Sequence, residues 1–172
     1  PLVEKHHQVL DVGTGSGCIA VNLGIETDAS IFAWDISERA LGIAKKNAVK
    51  FGAKVDFQLQ DIFGWEQTLG SWDFIVSNPP YVLNSEREEM SPNVLDFEPH
   101  IALFVPDLDP LKFYQTLGNF AWSRLNPGGW LAVEINRAYG LETEKRFKKI
   151  GFLMTELHQD FKGNDRFVFA QK

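Results

Sequence analysis

Two short stretches of this 172-residue chain hold residue types whose spacing suits chemistry. The first is Asp11-Val12-Gly13-Thr14-Gly15-Ser16-Gly17, set between a short apolar run and a helix-like stretch. Glycine permits positive φ and lets a ligand approach the backbone closely. A helix N-terminus presents free N–H groups and a partial positive charge. Together they suit a nucleotide-like ligand. Asp35 ends the next apolar run, where one carboxylate can accept hydrogen bonds from both hydroxyls of a ribose. A glycine-rich turn alone is a weak signal; followed by an acid-ended strand it is much stronger. The dinucleotide fingerprint is Gly-x-Gly-x-x-Gly. Gly13 and Gly15 match its first two glycines, but Cys18 stands at the third, and the spacing is Gly-x-Gly-x-Gly instead.

The second stretch is Ser77-Asn78-Pro79-Pro80-Tyr81, at the end of the fourth apolar run. In open α/β sheets, ligands bind outside the carboxyl ends of the strands. Two prolines fix their φ angles and remove two donors, so the turn is stiff. The Asn78 side-chain carbonyl and the Pro79 backbone carbonyl are two acceptors held close together. Such a pair can grip both hydrogens of an –NH2 group. Tyr81 offers a flat face for a planar group. Amide and aromatic amino nitrogens are poor nucleophiles because their lone pair is delocalised. Acceptors that grip their hydrogens favour the pyramidal, more acidic nitrogen of a transition state, so they act on the barrier differentially. No ionisable base is required, in keeping with the absence of His or Cys from the turn.

These turns need a scaffold that brings strand ends to one edge. Short apolar runs alternate with helix-like stretches, which reads as α/β with a mostly parallel sheet. Strands are expected at 9–12, 31–35, 55–60, 74–77 and 130–135, with a terminal β pair at 152–158 and 167–170. A helix starts at 18–24. Another follows the N-cap Ser37, with Ala40, Leu41, Ala44, Ala48 and Phe51 at helical spacing and Gly52 at its end. A third helix is expected over 110–125, with Asp109 as N-cap and Pro110 first. A turn follows at Pro127-Gly128-Gly129, then an amphipathic helix over 141–150, ended by Gly151. Residues 81–107 show neither period and carry Pro92, Pro99 and Pro106. A structureless stretch of that length is uncommon and often functional.

Composition excludes several classes. Lys+Arg is 17 against 23 Asp+Glu, a formal charge of −6, which argues against a general nucleic-acid or anionic-membrane binder. The single cysteine, Cys18, rules out an internal disulfide framework and fits a reducing compartment, so the cytoplasm is expected. No apolar run approaches the roughly 18 residues of a membrane span. His100 and His158 lack metal-ligand spacing, His6 and His7 read as solvated, and no metal is expected. The basic run Lys145, Arg146, Lys148 and Lys149 reads as a solvated helix face. The only methionines are Met90 and Met154, so the chain is expected to be a piece of something longer.

The Gly-x-Gly-x-Gly spacing resembles motif I of class I methyltransferases, whose turn holds the methionine part of S-adenosylmethionine. By that resemblance Asp11 meets the cofactor's ammonium, Gly13, Thr14, Gly15 and Gly17 form the cradle, and Asp35 with Ile36 holds the ribose. Asp61 and Ile62 border the adenine, although an acid after a strand is often only a cap. The cofactor's sulfonium gives up its methyl in line, leaving S-adenosylhomocysteine. The protein's work is then placement, with reacting atoms about 3–3.5 Å apart.

With both motifs in place, residues 9–169 resemble the HemK/PrmC family, glutamine methyltransferases that modify peptide-chain release factors. The resemblance rests on the 11–17 and 78–81 motifs, Phe97-Glu98-Pro99, Pro127-Gly128-Gly129, Glu134 and residues 163–166. It implies a Rossmann-like class I methyltransferase domain over 1–172. Its sheet would be seven-stranded and mostly parallel, with helices on both faces and an antiparallel C-terminal strand. It also implies a separate N-terminal helical domain, which this sequence lacks. Asn78, Pro79, Pro80 and Tyr81 would then be the catalytic and substrate-binding residues, with Glu98 orienting the loop or the glutamine. Three positions depart from the family pattern. Asp96 stands for Arg, Asn136 for Gly, and Tyr139 for Gln. They bear on the protein substrate rather than on the methyl donor. Arg166 either pairs with a carboxylate or lies on the surface.

The expected partner is therefore a protein, a release factor, met by a monomer. The same turn can grip an adenine amino group in flipped DNA or RNA, a reading opposed by the −6 charge. A cofactor-holding subunit without turnover is opposed by the intact 78–81 turn. A nicotinamide oxidoreductase is opposed by Cys18 and by the lack of a proton relay.

Overall fold

The computed structural model describes residues 3–90 and 99–172. The strands among them are β1 Gln8–Val12, β2 Ser30–Asp35, β3 Asp56–Leu59, β4 Trp72–Ser77, β5 Val82–Leu83, β6 Phe104–Val105, β7 Leu125–Glu134, β8 Met154–Gln159 and β9 Asp165–Gln171. Seven of these form one sheet in the order β3-β2-β1-β4-β7-β9-β8. Neighbours pair in parallel from β3 to β7, and β9 is antiparallel to both β7 and β8. The strand order reverses at β1, between β2 and β4, and the carboxyl edge there is the expected ligand crevice. Both motifs leave the sheet at that point.

Alternate residues of β1 face opposite sides, as the two-residue strand period demands. Val9 packs with Ile31, Ala33, Phe74 and Ala20 of helix α1 (Cys18–Glu26) on one face. Helix α2 (Glu38–Phe51) buries Leu41, Ala44 and Ala48. It is capped by Ser37, whose Oγ accepts from the Ala40 amide at 3.2 Å, and ends at Gly52 with φ 72°. On the other face of β1, Leu10 and Val12 pack with Trp34, Ile75 and Leu131. That second face is covered by α3 (Lys112–Arg124) and α4 (Gly140–Ile150), which contribute Tyr114, Leu117, Phe120 and Phe147. Phe120 touches three indoles, those of Trp34, Trp65 and Trp72, at centroid distances of 5.4–5.8 Å. It is fully buried; removing its ring would cost roughly 3–5 kcal/mol. Trp72 is thus a core residue.

Three local expectations change. Helix α3 starts at Lys112, not 110, and Leu111 supplies no side-chain cap. Asp109 instead opens a turn before the helix, its carbonyl accepting from the Lys112 amide at 3.3 Å, so the helical ladder begins after that turn. The Pro127-Gly128-Gly129 turn lies inside β7: Leu125 pairs with Trp72, the register slips, and pairing resumes at Trp130 with Phe74. The stretch read as structureless is tied at its base. Strands β5 and β6 pair in parallel, flanked by short 3-10 turns Asn84–Glu89 and His100–Ala102. Elements of two or three residues are too short to show a period. Among the described residues, no helix is long and apolar enough to cross a membrane.

Candidate active site

The glycine-rich turn joins β1 to α1. Gly13, Gly15 and Gly17 have φ of 73°, 57° and 85°. A side chain at Gly13 or Gly15 would meet nothing within 4 Å, so these two face open space. A Cβ at Gly17 would sit 3.0 Å from Ala44 Cβ, so this glycine lets α1 pack against α2. The amides of Gly13 and Thr14 both donate to Trp34 O, at 2.8 and 2.9 Å, fastening the turn to β2.

Asp11 is buried to 1% exposure at the end of β1. Its Oδ2 accepts from Thr14 Oγ1 at 2.7 Å and from the Ala20 amide at 3.2 Å. Its Oδ1 is buried and has no partner among the described residues. Burial pushes the carboxyl up to about 6, against the lowering effect of those two bonds. A buried carboxylate with one orphaned oxygen fits a cationic ligand group, because an unmet buried acceptor costs free energy.

Asp35, 9% exposed, bridges two backbone segments. Its Oδ2 accepts from Gly15 N and its Oδ1 from Ser37 N, both at 2.8 Å. Each carboxylate oxygen retains a second lone pair for a hydroxyl. Ile36, beside it, is half exposed. Asp61 accepts from the Phe63 amide at 2.9 Å and so caps a 3-10 turn, while Ile62 is buried in the large core cluster. The carboxyl edge of the sheet therefore brings together Asp11, Thr14, Gly15 and Asp35 as a connected set; Asp61, capping its own turn, and Ile62, packed in the core, follow β3 outside that set.

The 78–81 turn leaves β4 beside β1 and is anchored at both ends. Before it, Ser77 Oγ donates to Val12 O at 2.7 Å. After it, Tyr81 O accepts from Asn136 Nδ2 at 3.1 Å, and Tyr81 Oη donates to Glu134 Oε1 at 2.9 Å. Asn78 is exposed and Pro79 buried, so the stiff part of the turn is packed and its carboxamide is accessible. Glu98 lies outside the described residues, as do Asp96, Phe97 and Pro92.

Arg166 is not a free surface arginine. It lies 3.5 Å from Glu134 and 3.2 Å from Asp160, which joins the β8–β9 hairpin to the turn through Tyr81. In the sequence, Asn136 stands out only as a departure from a pattern. In the structure it is 8% exposed, and its carboxamide also reaches Glu86 Oε2 at 3.0 Å and the Ala138 amide at 3.0 Å. The signal that marks it is position: it follows β7 at the ligand edge of the sheet. Tyr81, Glu86, Met90, Asn136, Arg137 and Arg166 help line a cavity of about 310 Å³ beside the turn.

Residues 2–95 match the family model described as methyltransferase small domain. A release factor glutamine methyltransferase of Bacteroides thetaiotaomicron is 47% identical over 96% of this chain and 60% of its own length. One from Flavobacterium psychrophilum is 45% identical over 95% of this chain and 58% of its own length. The chain thus spans about 60% of the length of these curated relatives. In three dimensions it is similar to a methyltransferase from Pyrococcus furiosus, with TM-score 0.73 and 19% identity, over 99% of this chain and 77% of that one.

Proposed function

The chain belongs to the methyltransferase small domain family, and on that premise we propose that it methylates the side-chain amide nitrogen of a glutamine in a protein, a peptide-chain release factor. The two relatives at 45–47% identity bear that activity in their names. The observation that carries the reading is the anchoring of the 78–81 turn at both ends, directly beside the glycine-rich turn.

S-adenosylmethionine, when bound, supplies an electrophilic methyl on a sulfonium. The orphaned Oδ1 of Asp11 would meet its ammonium, and Asp35 with Ile36 its ribose. Gly13, Thr14, Gly15 and Gly17 would let it lie against the backbone; Asp61 and Ile62 would border the adenine. Asn78 Oδ1 and the Pro79 carbonyl hold the two amide hydrogens of the glutamine, while Pro80 keeps the turn stiff and Tyr81 supports the planar amide. As the nitrogen pyramidalises and gains positive charge, those acceptor bonds strengthen, which lowers the barrier rather than merely tightening binding. The methylated nitrogen loses a proton to carbonyl or water, leaving a neutral N-methyl amide and S-adenosylhomocysteine. A release factor acts in the cytoplasm, and the reaction is assigned there.

The test is incubation of the full-length protein with methyl-labelled donor and separate pools of release factor, DNA and RNA, followed by mass spectrometry. Label on a release-factor glutamine is expected. Label on adenine, or none on glutamine, overturns the reading.

A further inference from the structure

Asn136 sits where three pieces of backbone converge. It follows β7, touches the last residue of the 78–81 turn, and touches the first 3-10 turn of the long crossover segment. Its two Nδ2 hydrogens serve Tyr81 O at 3.1 Å and Glu86 Oε2 at 3.0 Å, across 55 and 50 residues of sequence. Its Oδ1 accepts from the Ala138 amide at 3.0 Å, which fixes which way the carboxamide faces. Its own amide donates to Tyr114 Oη at 3.2 Å, tying it to the core side of α3. Glu86 Oε2 also accepts from the Leu83 amide at 2.8 Å, so the same carboxylate holds the start of the crossover.

We propose that Asn136 is a positioning residue that joins the 78–81 turn and residues 82–86 into one rigid body, acting through Tyr81 O and Glu86. The inference rests on the glutamine-methylation reading for its kinetic consequence, not for its geometry. Only a side chain with two donors and one acceptor meets all three partners at once. A glycine meets none of them. Aspartate keeps the shape and the bond to Ala138 but offers no donor when ionised, and it faces the Glu86 carboxylate. The turn's acceptors act by placement, and a displacement of about 1 Å can cost on the order of a hundredfold in rate. The effect falls on kcat, because Asn136 lies outside the Asp11–Asp35 set.

The test compares full-length wild type, Asn136→Asp, Glu86→Gln and the double variant. Asn136→Asp is expected to lower kcat about tenfold or more with donor affinity unchanged. The double variant restores one link, because the carboxamide introduced at position 86 can donate to the carboxylate introduced at position 136 while still accepting from the Leu83 amide. It should recover several-fold of the loss. A kcat equal to wild type in Asn136→Asp overturns the proposal, as does a double variant no better than the single one. So does a matching loss of donor affinity, which would mark general damage. Amide hydrogen exchange at Leu83 gives a second readout that needs no substrate. It should accelerate in Asn136→Asp and be restored in the double variant, and an unchanged rate overturns the linkage. Failure of wild type to methylate glutamine would refute the functional reading alone, leaving the exchange result to decide this one.

Discussion

The phenol of Tyr81 donates to Glu134 Oε1 at 2.9 Å, joining the last residue of the acceptor turn to the last residue of β7. Glu134 in turn faces Arg166, and Arg166 faces Asp160. Burial, and after it the Glu134 charge and hydrogen bond, pushes the Tyr81 phenol up to about 12. It therefore stays a donor at every pH where the protein would work, and the ring it carries is held at both its backbone and its tip.

Tyr81→Phe keeps the ring and loses that bond. We expect a stability loss of about 1 kcal/mol, the usual net worth of such a hydrogen bond, and a kcat decrease much smaller than that of Tyr81→Ala. Urea unfolding and single-turnover methylation measure the two effects. A Phe variant as slow as the Ala variant would mean that the hydroxyl, not the ring, matters.

Asn78→Ala removes one of the two acceptors proposed to grip the amide. The expected loss is a hundredfold or more in kcat, on the order of 3–4 kcal/mol for a transition-state contact. Donor affinity by calorimetry should be unchanged. An unaltered rate removes Asn78 from the mechanism.

Asp35→Ala takes away the acceptor of the Gly15 and Ser37 amides as well as the proposed ribose partner. Donor affinity should fall about tenfold to a hundredfold, the range for hydrogen bonds to a charged group. Equal affinity in titration calorimetry would cancel the assignment.

Asp11 gives two opposite pH dependences. Unfolded, its carboxyl ionises near the ordinary 3.8; folded, burial holds it near 6. Between those values the unfolded chain carries fewer protons, so its contribution to stability falls as pH rises through the window and stays low above it. On the proposed role of Asp11, donor binding would run the other way, because the ammonium would need the ionised carboxylate. Affinity should tighten about tenfold from pH 5 to 7 as the group ionises, with proton release on binding near pH 6. Asp11→Asn should flatten both curves. A pH-independent affinity in the wild type would separate Asp11 from the ammonium.

Much of this is legible in the sequence because it is local. Ser37, Gly52 and the three turn glycines act on their own backbone within a few residues, and their types state the conformation. Asp35 is readable as part of the site because it ends the strand beside that turn, where its carboxylate accepts from the Gly15 and Ser37 amides. What the sequence hides is long-range or very short. Nothing local marks Arg166 as the partner of Glu134, or Asn136 as the link between Tyr81 and Glu86. The paired strands β5 and β6 are two residues each, below any detectable period. The start of α3 differs from the expected one because residues 109–112 first close a turn, Lys112 N to Asp109 O, and the helical ladder begins only after it.

The short ladder between Val82–Leu83 and Phe104–Val105 has a wider consequence. A segment whose two ends are bonded to each other can grow or shrink between them without moving its attachment, and each doubling of its length costs only about 0.6 kcal/mol in closure entropy. The described residues on either side, 84–90 and 99–103, are thus mounted on a fixed attachment. On the proposed reading, a change of acceptor protein could be written into the sequence between Glu86 and Phe104, with the Glu86–Asn136 contact and the 82–83/104–105 attachment left as they stand.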